Sequence, residues 1–169
     1  MNISMYAASV PVFRQMLASL REILVKTEAH ALERKIEPAA LLQSRLYPDM
    51  FPLLRQIQIA CDFARGVSAR LAGVDVPSVD DQQQSFADLL QLIDQSIAFI
   101  DGIAAQKFEG SETREIVTRP GTPKEKRFTG IDYLLGYGVP QFFFHITTSY
   151  ALLRHAGIEI GKRDYMGQR

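Results

Sequence analysis

Few side chains in this sequence are of the types that do chemistry, and most of them fall on two stretches. There are three histidines, His30, His145 and His155. His145 lies in the run QFFFHITTSYALLRHAG, from Gln141 to Gly157, with Gln141 four residues before it and Ser149 four after. Helix positions four apart share a face, so Gln141, His145 and Ser149 form one row. The row continues an apolar stripe and is expected to point inward. An inward imidazole serves as a metal ligand, as part of a polar ligand pocket, or as a core residue with satisfied hydrogen bonds. All three readings are open from the residues alone. A zinc or nickel site takes three histidines or carboxylates with one open position, and amides are poor ligands for such ions. His145 and His155 cannot share an ion, because on one helix they stand roughly 15 Å apart and about 80° around. His155 precedes the helix end and reads as a surface residue.

The second stretch is the run before and along an earlier helix. Gln56 is the most polar residue on that helix's inner stripe, with Asp62 further along. Gln56 is equally readable as a half-buried amide or as a ligand contact. Arg45, Tyr47 and Asp49 in SRLYPDMF form a polar cluster, in which Asp49 reads as a helix cap. Cys61 lies on the buried stripe and reads as an inert thiol. No GxSxG, P-loop, GxGxxG, HExxH or CxxC pattern is present.

Helices must position these residues. The first is expected from about Ser9 to Lys35, on a stripe of Val12, Met16, Leu20, Ile23, Thr27 and Ala31, with Pro11 in its first turn. The second runs from Met50 to Leu71, capped by Asp49 and stopped at Gly73, with Pro52 in the first turn. The third follows VDVPSVDDQQQ, where Ser78 and Asp81 have capping-box spacing, and carries Phe86, Leu89, Leu90, Ile93, Ile97, Ile100 and Ala104. The fourth opens at Thr129 and Asp132, again with capping-box spacing. It continues through Leu134, Leu135, Gly138, Phe142, His145, Ser149, Leu152 and Leu153 to Gly157. Pro140 inside it is expected to kink or reset the helix. Two strand-like runs flank Pro120 and Gly121, which suit a type II turn, and so predict a β-hairpin. The tail EIGKRDYMGQR is expected to be an extended surface segment.

The chain has 169 residues, 47% of them hydrophobic, with nineteen basic and nineteen acidic side chains. That fits one domain with an ample core, spanning residues 1–169. The balanced charge, without a basic stripe, argues against nucleic-acid binding. No run approaches a membrane span, and the N-terminus lacks the basic and apolar regions of a signal peptide. A cytoplasmic location is expected, in keeping with a single cysteine. The wide stripes of the first and fourth helices, with the aromatic-rich VPQFFFHI, leave surplus apolar surface. A homodimer through exposed faces of two helices is therefore expected.

The order helix, long loop, helix, helix, hairpin, helix is similar to that of the DinB-like (DinB/YfiT) superfamily. MYAASVPVF, ARLAGVDVPS, FTGIDYLL and FFFHITTSYALLRHAGIEIGKRDY resemble, over nearly the whole chain, the bacterial family of domain of unknown function 1993. The resemblance implies an all-α fold, a DinB-like four-helix bundle with a small β-hairpin between helices three and four. Metal-binding DinB-like proteins use one histidine from the second helix and an H-x3-H pair on the fourth, about twelve residues before a closing LRxxG. In this chain those positions fall near Gln56 and on Gln141 and His145. His145 is then the only retained candidate ligand, and the metal site is degenerate.

The expectation is a central pocket lined by Gln56, Gln141, His145 and Ser149, with aromatic walls from Phe142 and Tyr133. His145 should be buried, neutral, and hydrogen-bonded to its local neighbours Gln141 and Ser149. The pocket should take an unidentified small molecule, with no metal or other cofactor, no nucleic acid and no membrane. Two alternatives stand beside it. One is a metal-dependent transferase or hydrolase of the thiol-transfer type with a Gln/His/Asp sphere. The other is a structural or interaction protein with a dry core.

Overall fold

Four long helices carry the core: α1 (Val10–Arg34), α3 (Leu53–Ala72), α4 (Phe86–Asp101) and α6 (Val139–His155). Short elements join them: α2 (Pro38–Leu42), strands β1 (Glu115–Thr118) and β2 (Lys126–Thr129), α5 (Gly130–Tyr133) and α7 (Lys162–Met166). The computed structural model describes residues 3–167. Met1 and Asn2, part of the segment read for a signal peptide, and Gln168 and Arg169, the end of the expected extended tail, lie outside the described residues.

α3 packs against both α6 and α4, and α1 against α4. One contiguous core results, built from stripes such as Phe13, Leu17, Leu20 and Leu24 on α1 and Ile57, Ala60, Ala64, Val67 and Leu71 on α3. Burying each of the leucine, isoleucine, valine and phenylalanine side chains among them stabilises by roughly 1.5–3 kcal/mol, which is what gathers the four amphipathic helices. No helix among the described residues is long and apolar enough to cross a membrane.

Two helix starts differ from the sequence expectation. α3 begins at Leu53, not Met50. Pro52 is extended (φ −69°, ψ 164°) and holds the position before the first helical residue, and Asp49 does not cap it. The Leu53 N–H instead donates to the Ser44 carbonyl at 2.9 Å, so the preceding loop satisfies the helix start. The capping box of α4 is Ser85 with Asp88, not Ser78 with Asp81. Ser85 directly precedes the apolar run, while Asp81 is drawn off to Arg55 on α3.

The hairpin is antiparallel, with Glu115 opposite Thr129 and Thr118 opposite Lys126. The Thr122 N–H donates to the Arg119 carbonyl at 3.3 Å, with Gly121 at φ 73°, as a type II turn around Pro120 and Gly121 requires. The chain then passes through α5, where the Thr129 hydroxyl accepts from the Asp132 N–H, into a π-helical turn, Leu134–Gly138. This turn is the reset that Pro140 demands. Proline lacks an N–H for the carbonyl four residues back and its ring crowds that carbonyl, and the wider π turn absorbs both. Gly138 lets the turn lie against α3, for a Cβ there would stand 2.7 Å from Val67 Cγ2. Leu135, expected inside, points outward and is exposed.

The tail is not extended: residues 162–166 form α7, seated on α1. The Ser19 hydroxyl lies 2.7 Å from the Asp164 carbonyl and 2.8 Å from that of Tyr165, and Gln15 donates to the Met166 carbonyl. Asp164 pairs with Lys26 at 2.5 Å. Ser19 is a buried polar residue at the edge of the α1 apolar stripe, and Gln15 and Lys26 flank it, so apolar periodicity gave no sign of the docking.

Candidate functional site

The π turn and the Gly138 contact set α6 against α3 so that His145 meets Gln56 across the two helices. The His145 Nδ1 lies 2.7 Å from Gln56 Oε1. Gln56, 1% exposed, sends its amide Nε2 to the Phe51 carbonyl at 3.2 Å. A carbonyl can only accept, so the Gln56 atom facing it is the nitrogen and the atom facing His145 is the oxygen. The imidazole therefore carries its proton on Nδ1. Nε2 is left with a bare lone pair. It has no hydrogen-bond partner among the described residues, yet it is not one of the buried unpartnered atoms, which are Ser68 Oγ and Ser111 Oγ. It therefore reaches solvent through the small opening that leaves His145 7% exposed. Burial, with the nearby Arg55 guanidinium, pushes the imidazole pKa down to about 4.

The local partners expected for the ring are not the ones it uses. Ser149 donates to the His145 backbone carbonyl at 2.8 Å, the usual habit of a mid-helix serine. Gln141 is half-buried and lines a shallow groove with Gly136, Tyr137, Pro140 and Phe144. Phe142 is fully buried against Phe13 of α1, with ring centroids 4.7 Å apart, and lines neither the groove nor the cleft described next. It stands three residues from His145, about 60° around the helix, and that rotation carries it to α1. Aromatic cover for His145 comes instead from Phe63, stacked at 6.0 Å, and Phe144, edge-on at 5.1 Å.

Phe63 opens onto a larger cleft of about 420 Å³ between α3, the hairpin, the π turn and the Val76–Pro77 loop. One face of α3 supplies Arg55, Ile59, Asp62, Phe63, Gly66 and Arg70, at helical spacing. Tyr133 and Tyr137 form the opposite wall, stacked on one another with centroids 5.8 Å apart. The Tyr133 hydroxyl accepts from Arg70 at 3.2 Å, and burial pushes its pKa up. Arg65 is buried between Asp62 (2.6 Å) and the Ser96 hydroxyl (2.5 Å). Thr118 and Arg119 reach the cleft from the hairpin. Of the residues read from sequence, Gln56 and His145 come together and Tyr133 stands in the neighbouring cleft, whereas Gln141, Ser149 and Phe142 do not join them. The arginines went unread. Their signal was the periodic spacing of Arg55, Asp62, Phe63 and Arg70 around a glycine in mid-helix.

The remaining candidates are structural. Cys61 is buried and its thiol pKa is pushed up to about 12, which removes it as a nucleophile. Arg45 binds the Pro48 and Met50 carbonyls in the loop before α3. His155 is exposed. The donors at the three DinB-like ligand positions do not fit a zinc-type ion. One imidazole stands with two amides, and one of those amide oxygens is already taken by Nδ1. Among the described residues no three His, Cys, Asp or Glu side chains gather as a metal-binding group.

Comparison with known proteins agrees with this architecture. A crystal structure of a DinB family member protein from Shewanella denitrificans superposes with a TM-score of 0.91 at 38% sequence identity, covering 97% of this chain and 92% of that one. No curated protein matches. The family model for a domain of unknown function, DUF1993, matches residues 5–166, so the chain, a DinB-like helical bundle, belongs to the DUF1993 family.

Proposed function

We propose that the protein binds a small molecule in the cleft between α3, the hairpin and the π turn, with the neutral His145 imidazole beside it as a hydrogen-bond acceptor. One observation carries the reading. A concavity of about 420 Å³ combines aromatic walls with convergent polar groups, which is the usual make-up of a ligand site. His145 is not itself among the lining residues; it stands behind the cleft wall, stacked on Phe63, with a fixed tautomer and an open lone pair.

The properties of that lone pair favour binding over acid–base catalysis. A general base works best with a pKa near the working pH. With a pKa of about 4, His145 falls short of its ordinary 6.5 by an amount worth about 3 kcal/mol of proton affinity. Such a nitrogen is always free to accept a hydrogen bond and poor at removing a proton. The metal-dependent alternative needs Gln56, His145 and a carboxylate free to ligate. Gln56 is spent on Nδ1, and Asp62, the carboxylate on the cleft face of α3, is paired with Arg65. The degenerate metal site is thus read as a hydrogen-bonded pair.

A fragment screen by amide NMR tests the proposal. Hits are expected to shift the resonances of Phe63, Arg70, Tyr133 and Tyr137 saturably. A library of several hundred compounds that leaves all four unmoved would refute it.

A further inference from the structure

The charges in the cleft do not balance, although those of the chain do. Four arginines line it, Arg55, Arg65, Arg70 and Arg119, against one carboxylate, Asp62. Arg65 is paired with Asp62, and Arg55 with Asp81. Neither Arg70 nor Arg119 enters an ion pair among the described residues. Arg70 has only the neutral Tyr133 hydroxyl. Lys126, likewise outside any ion pair among the described residues, stands 5.7 Å from the centre of the Tyr137 ring.

Two backbone features set these arginines where they are at some cost to local stability. Gly66 stands in the middle of α3, where alanine is the better helix former. A Cβ there would lie 2.6 Å from the Arg70 Nη1, so the missing side chain is the space in which the Arg70 guanidinium rests. Arg119 has φ 52°, in the left-handed region that non-glycine residues seldom adopt, and it precedes a proline, which ordinarily favours an extended conformation. Strain of this kind tends to persist where the side chain it aims has work to do.

We infer that the cleft takes an anion: a planar or aromatic molecule bearing a phosphate or carboxylate, its charged group held by Arg70 and Arg119 and its ring set among Phe63, Tyr133 and Tyr137. Guanidinium groups match both oxyanions, through paired N–H donors. The inference rests on the proposal that the cleft is a ligand site, and adds the charge of the ligand.

Three probes, phenyl phosphate, benzoate and benzamide, test it by chemical-shift titration of labelled protein. The two anions are expected to shift the cleft resonances saturably, and the neutral amide to bind about tenfold more weakly or not at all. The tighter of the two anions identifies the head group. Arg70→Gln and Arg119→Gln should each weaken the anions about tenfold and leave benzamide unchanged. Gly66→Ala should weaken them too, by evicting the Arg70 guanidinium. Arg119→Gln lies on an exposed loop and decides the matter should Arg70→Gln fail to fold. Benzamide binding as well as the anions, or anion binding indifferent to Arg119→Gln, would overturn the inference and leave the cleft as a neutral site. No response to any of the three would count against the site itself.

Discussion

His145 is held by a chain of three groups, Phe51 carbonyl to Gln56 amide to imidazole Nδ1. Each link fixes the polarity of the next, so the tautomer follows from a backbone carbonyl that has no choice. The same burial makes the residue a source of pH dependence. Its folded pKa, about 4, lies below the ordinary 6.5, so the unfolded chain takes up the proton first as pH falls. His145 therefore costs no stability from this source above about pH 6.5, and stability is lost progressively between there and pH 4. The full loss is about 3 kcal/mol, from the size of the shift. Urea unfolding of the wild type and of His145→Gln at pH 7 and pH 4 is expected to show the wild type losing about 3 kcal/mol more than the variant. Equal losses would mean that the imidazole is not desolvated. The inward face of His145 was legible in its spacing from Gln141 and Ser149. Its partner was not, because Gln56 lies 89 residues away and only helix packing brings it near.

At the scale of elements, α3 does two jobs with two faces. Its inner stripe was legible in periodicity. Its cleft face was not singled out, since exposed and half-buried arginines on a helix ordinarily read as solvated charge. The two glycines that shape this region differ in kind, and stability measurements should separate them. Gly66 faces the mobile end of Arg70, while Gly138 faces the branched Val67 side chain in the core. In Gly66→Ala the gain in helix propensity, about 0.5–1 kcal/mol, offsets the lost Arg70–Tyr133 hydrogen bond of similar size. Its unfolding free energy should stay within about 0.5 kcal/mol of wild type. Gly138→Ala forces a methyl into packed atoms and should cost about 1–3 kcal/mol. Comparable losses in both would mean that Gly66 serves packing rather than Arg70. The π turn was legible as a disturbance at Pro140. The missed capping box at Ser85 has a simpler cause: Ser78 and Asp81 have the same spacing, and only the position of the apolar run distinguishes them.

For the whole molecule, the order of helices and the hairpin were readable from periodicity and turn chemistry, because burial of apolar stripes decides both. The docking of α7 was not readable. It depends on Ser19, Gln15 and Lys26, polar residues whose partners lie more than a hundred positions away. The cleft belongs to this same class of long-range facts, since α3, the hairpin and the π turn meet only in the folded chain. The reading of the protein as a binder rather than an acid–base enzyme turns on the state of one imidazole in that assembly. Long-range ¹⁵N–¹H NMR of histidine-labelled protein across pH 4 to 8 reports it directly. His145 is expected to be neutral, with the proton on Nδ1 and Nε2 unprotonated, down to about pH 5. A His145 that titrates near 6.5, or carries its proton on Nε2, would contradict that reading.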